Sequence, residues 1–315
     1  MKKLPIVAMT AMIYAACSTS EYDPGIAPGS VNNEPAGIYN MATVMAELAP
    51  KTKTVSINVS TGGTFRGNSG TRYNIPANAF VTSTGAAVTG TVEVHVTEFL
   101  NKGDMLFSGV LPISNDEPLI SGGELLITAQ QGGQELKLAP GVPFTAAMPM
   151  AGTNPAGMEL FVGERGPAGN VNWRLPDSTF AEKNKIFNLG DTIGISSTNL
   201  TYCNADRFMT FPDYQKFWVK INVDGLEYSE DSLLIHTFYD EYNGVWGISS
   251  RNGGTTHMYL ENHIPNIPVH FVAFAIIKGN FYGAIQGATP ETGATYVLDM
   301  KKTSPQEFKA KVAAL

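Results

Sequence analysis

Cysteine and charge are what this 315-residue sequence has least of. Its two cysteines, Cys17 and Cys203, allow at most one disulfide, so the fold has to rest on packed cores rather than on a covalent framework. Charged residues make up 16% of the chain, against about a quarter in an ordinary soluble domain. The balance is acidic, with 21 Lys and Arg against 28 Asp and Glu and a net charge of -7, and no basic stripe runs through it, which argues against a nucleic-acid partner. Histidine is scarce too, at five. His257, His263 and His270 lie close in sequence, but their spacings put no two on one helical face and no His-Glu-x-x-His occurs. Glycine is plentiful, yet there is no phosphate-binding GxxxxGK[ST] loop. The acidic loops at Asn115–Glu117, Glu227–Asp231 and Asp240–Glu241 lack the ligand spacing of an EF-hand. No catalytic constellation and no cofactor site is legible.

The N-terminus is more informative. Met1-Lys2-Lys3 precedes an apolar run from Leu4 to Ala16, too short to cross a ~30 Å hydrocarbon core as a helix and of the right build for a signal peptide. Ile13-Tyr-Ala-Ala-Cys17 resembles the bacterial lipobox, with Tyr14 as its one departure. That resemblance implies cleavage after residue 16 and diacylation of Cys17, palmitate being the typical chain. Each buried acyl CH2 contributes about 0.8 kcal/mol, so two or three chains hold a soluble domain on a Gram-negative outer membrane, on its periplasmic face or at the cell surface. Residues 17–50 then read as a polar tether followed by a short helix, with Glu34 and Pro35 suiting its start and Ile38, Met41, Met45 and Leu48 at helical spacing. With Cys17 lipidated, Cys203 has no partner, and it reads as a buried small residue.

Beyond residue 50 the apolar residues fall in short runs between turn formers, the mark of an all-β chain. Val55, Ile57 and Val59, and later Val92, Val94 and Val96, alternate with polar residues and put one face of each strand in a core. His95 falls on the polar face of the second run. Gln131-Gly-Gly-Gln134 reads as a tight hairpin, and the run from Val142 to Met150 as an edge strand because of Pro143 and Pro149. We expect two immunoglobulin-like β-sandwich domains in tandem with short flanking helices: 51–176, a linker at 177–199, and 200–303. A C-terminal helix at 304–315 opens on the capping box Ser304-Pro-Gln-Glu307.

Gly62-Gly-Thr-Phe65, then Gly70-Thr-Arg-Tyr-Asn-Ile-Pro-Ala-Asn-Ala-Phe80, then the valine strand is similar to the β-sandwich domain shared by ankyrins, netrin receptors and zonula-occludens proteins. The match covers roughly residues 54–109, and the resemblance implies protein–protein contact. His270-Phe271-Val272 lacks the serine of the self-cleaving His-Phe-Ser triplet found beside some members, so that activity does not carry over. Leu200-Thr-Tyr-Cys-Asn-Ala-Asp-Arg-Phe208 resembles a segment of Bacteroidetes-type envelope lipoproteins. Asp177-Ser-Thr179, Asp191-Thr-Ile193 and Asp231-Ser-Leu233 fit the short O-glycosylation pattern of the same group.

These readings lead to a membrane-anchored, non-enzymatic structural or adaptor subunit that binds another cell-envelope protein. The alternative is a surface glycan-binding module. Trp246, Tyr242 and Tyr239 would stack on sugar rings, whereas Trp218, beside Val219 in a strand, reads as buried.

Overall fold

The structure is a computed structural model and describes residues 38–150, 153–167, 169–210, 214–223, 233–248, 250–251 and 258–315. Cys17, Glu34, Pro35, His257 and the acidic stretch at 227–231 lie outside them. The first part of the chain folds as α1 (Met41–Leu48), β1 (Lys53–Asn58), β2 (Gly63–Arg66), β3 (Arg72–Ile75), β4 (Phe80–Thr82), β5 (Thr91–Phe99), α2 (Lys102–Ser108), β6 (Ile113–Ser114), β7 (Glu117–Gln131), β8 (Gln134–Leu138), β9 (Phe144–Pro149), β10 (Glu159–Arg165), β11 (Val171–Arg174), β12 (Lys185–Asn188), β13 (Thr192–Ser197) and β14 (Tyr202–Phe208). The second part folds as β15 (Tyr214–Asn222), β16 (Leu233–Tyr239), β17 (Val245–Gly247), β18 (Ser250–Arg251), β19 (Met258–Pro265), β20 (Val269–Ile277), β21 (Asn280–Ala288), β22 (Thr295–Asp299), β23 (Lys301–Lys302) and α3 (Pro305–Val312).

The fold is all-β. In the first sandwich one sheet runs β1-β5-β7-β14-β10-β11, with β4, β6 and β8 appended, and the facing sheet runs β12-β13-β9-β3-β2. Alternation builds them. Val92, Val94 and Val96 of β5 are buried and pack with Tyr73, Phe144, Ile193 and Ile195 of the facing sheet. Gly132 and Gly133 both take positive φ in the β7–β8 hairpin, as a two-residue turn of that hand requires. In the second sandwich β18-β19-β15-β22 faces β17-β16-β20-β21-β23, and Phe217 meets Phe271 across them at 5.4 Å. The β15–β22 pair is parallel, the one departure from antiparallel pairing among the described strands.

Several expectations meet a different chain. Residues 185–197 are no linker: β12 and β13 complete the first sandwich's facing sheet, and β14 pairs with β7 and β10 in its main sheet. Ile193 and Ile195 alternate with Gly194 and Ser196, a period-two signal hidden by the polar surroundings. The strand with two flanking prolines, β9, sits between β13 and β3 rather than at an edge. Pro143 precedes the strand and Pro149 ends it, so no ladder N–H is lost within it. Trp218 is half-buried, while its neighbours Phe217 and Val219 are the buried pair.

The three helices among the described residues have a common role. Val44 and Leu48 of α1, Met105, Leu106 and Phe107 of α2, and Phe308 and Val312 of α3 pack in one cluster with Phe99, Phe161, Trp173 and Tyr202 of the first sandwich. Phe238, Val272, Phe274 and Phe281 of the second sandwich belong to the same cluster. Phe274 touches Phe107, Phe281 and Phe308, with ring centroids 6.0, 5.6 and 5.6 Å away. Residues 36–315 accordingly form one compact unit, with the helices packed as a layer between the two sandwiches. Local sequence sets each helix end: Asn40 accepts from the N–H of Thr43 at the start of α1, and Ser304 and Glu307 close the expected capping box on α3.

Candidate functional site

Beside the aromatic layer runs a polar seam, built from α2 and the loop that follows β16. Asn101 caps α2 by accepting from the N–H of Asp104 (2.9 Å), and Gly109 ends it in the left-handed region. This geometry carries Lys102, 9% exposed, across to the second sandwich, where its ammonium donates to the carbonyl of Tyr239 (2.7 Å) and stands 5.9 Å from the Phe238 ring centroid. Burial lowers the Lys102 pKa, and Asp240 pulls it back up. Asn243 returns the contact twice: its amide donates to the carbonyl of Leu100 (3.2 Å) and its own carbonyl accepts from the N–H of Ser121 (2.9 Å). The approach depends on Gly244, where a Cβ would lie 2.9 Å from the Tyr239 ring and 3.2 Å from the Leu119 carbonyl. Asp240 pairs with Nδ1 of His270 at 2.6 Å.

A pocket of about 230 Å³ opens in this seam, with Lys102, Thr153, Asp240, Tyr242 and Asn243 in its wall. Its cation, acid and amide could hydrogen-bond a small polar molecule. Ser108 on α2 donates its hydroxyl to the Asp104 carbonyl (2.7 Å). Cys203 is fully buried, and burial pushes its thiol up to about 12, which leaves it protonated and inert. Among the described residues no three His, Cys, Asp or Glu side chains converge.

The aromatic residues expected to stack on a glycan are divided by this geometry. Tyr239 is fully buried at the end of β16, and Trp246, 9% exposed, packs in the core from β17. Tyr242 alone is half-exposed, in the seam pocket. His95 lies on the solvent side of β5 and pairs with Thr54 at 2.8 Å. Asn115 and Asp116 form the β6–β7 turn in positive φ, and the Asn115 amide is held by Asn172. Ser178 and Thr179 are exposed, whereas Thr192 is half-buried within β13. Sequence reading missed Lys102 and Asn243. The Asn101-x-x-Asp104 cap with Gly109 following was the available signal for α2; nothing local marks Asn243.

No protein-family model matches the chain, and no curated protein is similar to it. No helix among the described residues is long and apolar enough to cross a membrane.

Proposed function

We propose that this protein is a lipid-anchored adaptor of the cell envelope, held on the outer membrane through Cys17 and binding another envelope protein through the first sandwich. One observation carries the reading. β11 and β12 are each an edge strand of one of that sandwich's two sheets, and residues Leu175 to Asn184 join them. Leu175 and Phe180 lie in this connection and Leu189 directly follows β12; they are three of the six large hydrophobic residues exposed among those described. Open strand edges with apolar side chains beside them offer backbone hydrogen bonds and desolvation to a partner. A groove of about 350 Å³ with Arg174, Asp177 and Asn199 in its wall runs alongside and supplies a polar rim. The glycan reading keeps Tyr242 alone in a half-exposed position, and no observation favours it over the adaptor.

The test is co-purification of the tagged protein from its own membranes in mild detergent, with mass spectrometry of the eluate. A stoichiometric companion that is lost from a Leu175→Asp, Phe180→Asp, Leu189→Asp variant of unchanged thermal stability supports the proposal. A companion retained by that variant removes this surface. Elution of the wild type alone removes the adaptor reading.

A further inference from the structure

On the face of the main sheet that meets the helical layer, a row of residues crosses four strands: Phe99 pairs with Glu124, Glu124 with Asn204, and Asn204 with Phe161. Its two ends are aromatic and its middle is polar. Between β7 and β14 the register is irregular, with Gly122-Gly123 set against Ala205, so that Ser121 pairs with Asp206 and Glu124 with Asn204. Glycine is required there: a Cβ on Gly122 would lie 2.5 Å from Ile193, and Gly123 has a φ of 125°. The irregularity gathers Ser121, Glu124, Asn204 and Asp206, all of them fully buried.

Four of the oxygens of this group lack donors. Asn204 Nδ2 donates to Asp206 Oδ2 (2.7 Å), and the Gly123 N–H donates to Ser121 Oγ (3.0 Å). Both oxygens of Glu124, Oδ1 of Asp206 and Oδ1 of Asn204 have no hydrogen-bond partner. Among the described residues no positive charge acts on the two carboxyl groups. The charge acting on Glu124 is Asp206, a like charge, while Lys102 is drawn to Asp240. Burial and this mutual repulsion push Glu124 well above the usual carboxylate range, against a smaller pull from the Asn204 amide; burial does the same to Asp206, against the pull of Ser121 and the Gly122 N–H.

We propose that Glu124, Asn204 and Asp206, with Ser121, form a buried binding site for a hard divalent cation, with calcium as the fitting probe. The donor set is all oxygen, from two carboxylates, an amide and a hydroxyl, which selects calcium or magnesium over zinc or copper. Two carboxylates around one divalent ion are neutral, and the ion satisfies the orphaned acceptors together. Protons are the competing solution. Two would be needed, each held at neutral pH more than about 2 pH units above an ordinary carboxylate pKa, which draws on a large part of a domain's net stability. An ion here ties β7 to β14 directly beneath the Ser121–Asn243 contact, and so stiffens the side of the seam that belongs to the first sandwich.

The experiment uses the full-length lipidated protein in detergent. Its metal content is measured as purified, and its thermal unfolding is compared in EDTA and in millimolar CaCl2. The expected result is about one equivalent of calcium or magnesium, an unfolding midpoint several degrees higher with calcium, and a midpoint indifferent to calcium in Glu124→Gln and Asp206→Asn. Tb3+ luminescence sensitised by the neighbouring Tyr202 and Trp173, and lost in both variants, is a second readout. A metal-free protein with the same midpoint in EDTA and in calcium overturns the proposal, as does a Glu124→Gln variant more stable than the wild type in both buffers. Where the variants fail to fold, the metal content and EDTA response of the wild type decide alone.

Discussion

The two sandwiches share a continuous apolar core, and two further contacts between them differ in kind. In the aromatic layer Phe107, Phe274, Phe281 and Phe308 meet at centroid distances of 5.3 to 6.0 Å, with no polar contact among the rings. In the seam Lys102, Asn243 and Ser121 make three directional contacts, each reaching the backbone of the opposite sandwich. Burial of rings is worth free energy in proportion to area and tolerates small shifts. A buried hydrogen bond adds only about 1 kcal/mol when made and costs more when one partner is left behind. The layer therefore supplies the strength of the junction, and the seam fixes its register.

Substitutions separate the two roles. Phe274→Ala removes a fully buried ring with three aromatic neighbours and should cost about 3–5 kcal/mol in denaturant unfolding. A loss below roughly 1 kcal/mol would mean that the layer is not the main joint.

His236 tests the layer by pH. It sits in β16 between Leu234 and Phe238, buried and with Nδ1 lacking a partner, and burial lowers its pKa from 6.5 to about 4. The unfolded chain binds the proton first, so stability is whole above about pH 6.5 and is lost as pH falls toward 4. The loss amounts to roughly 3 kcal/mol for a gap of this size. His236→Leu should flatten that acid limb; an unchanged limb would place its cause elsewhere.

Lys102→Met keeps the stem and removes the ammonium, leaving the Tyr239 carbonyl without its donor. We expect a loss of about 1–3 kcal/mol in denaturant unfolding, and faster amide exchange across the loop after β16. A neutral result would make the seam incidental. The smallest effect should be Ser304→Ala, about 1 kcal/mol in the same assay, because it breaks a capping box at the exposed start of α3 without touching Phe308.

The sequence announced what depended on local rules. Period-two valines gave β5, Gly132-Gly133 gave the β7–β8 hairpin, and Ser304-Pro-Gln-Glu307 gave α3. What escaped was non-local. β14 follows a polar stretch and reads as the start of something new, yet its partners are β7 and β10, and no short-range pattern encodes that choice. Trp246 and Tyr239 sit near Asp240 and Glu241 in sequence and looked exposed, but the second sandwich turns both rings inward. The seam was equally hidden, since Asn243 has its partners in Leu100 and Ser121, more than a hundred residues away.

Calorimetry of the full-length protein in detergent tests most directly whether the helical layer makes one body of the two sandwiches. The account predicts a single transition with equal calorimetric and van't Hoff enthalpies, which Phe274→Ala lowers as a whole or splits in two. Two resolved transitions in the wild type, only one of them moved by Phe274→Ala, would contradict it.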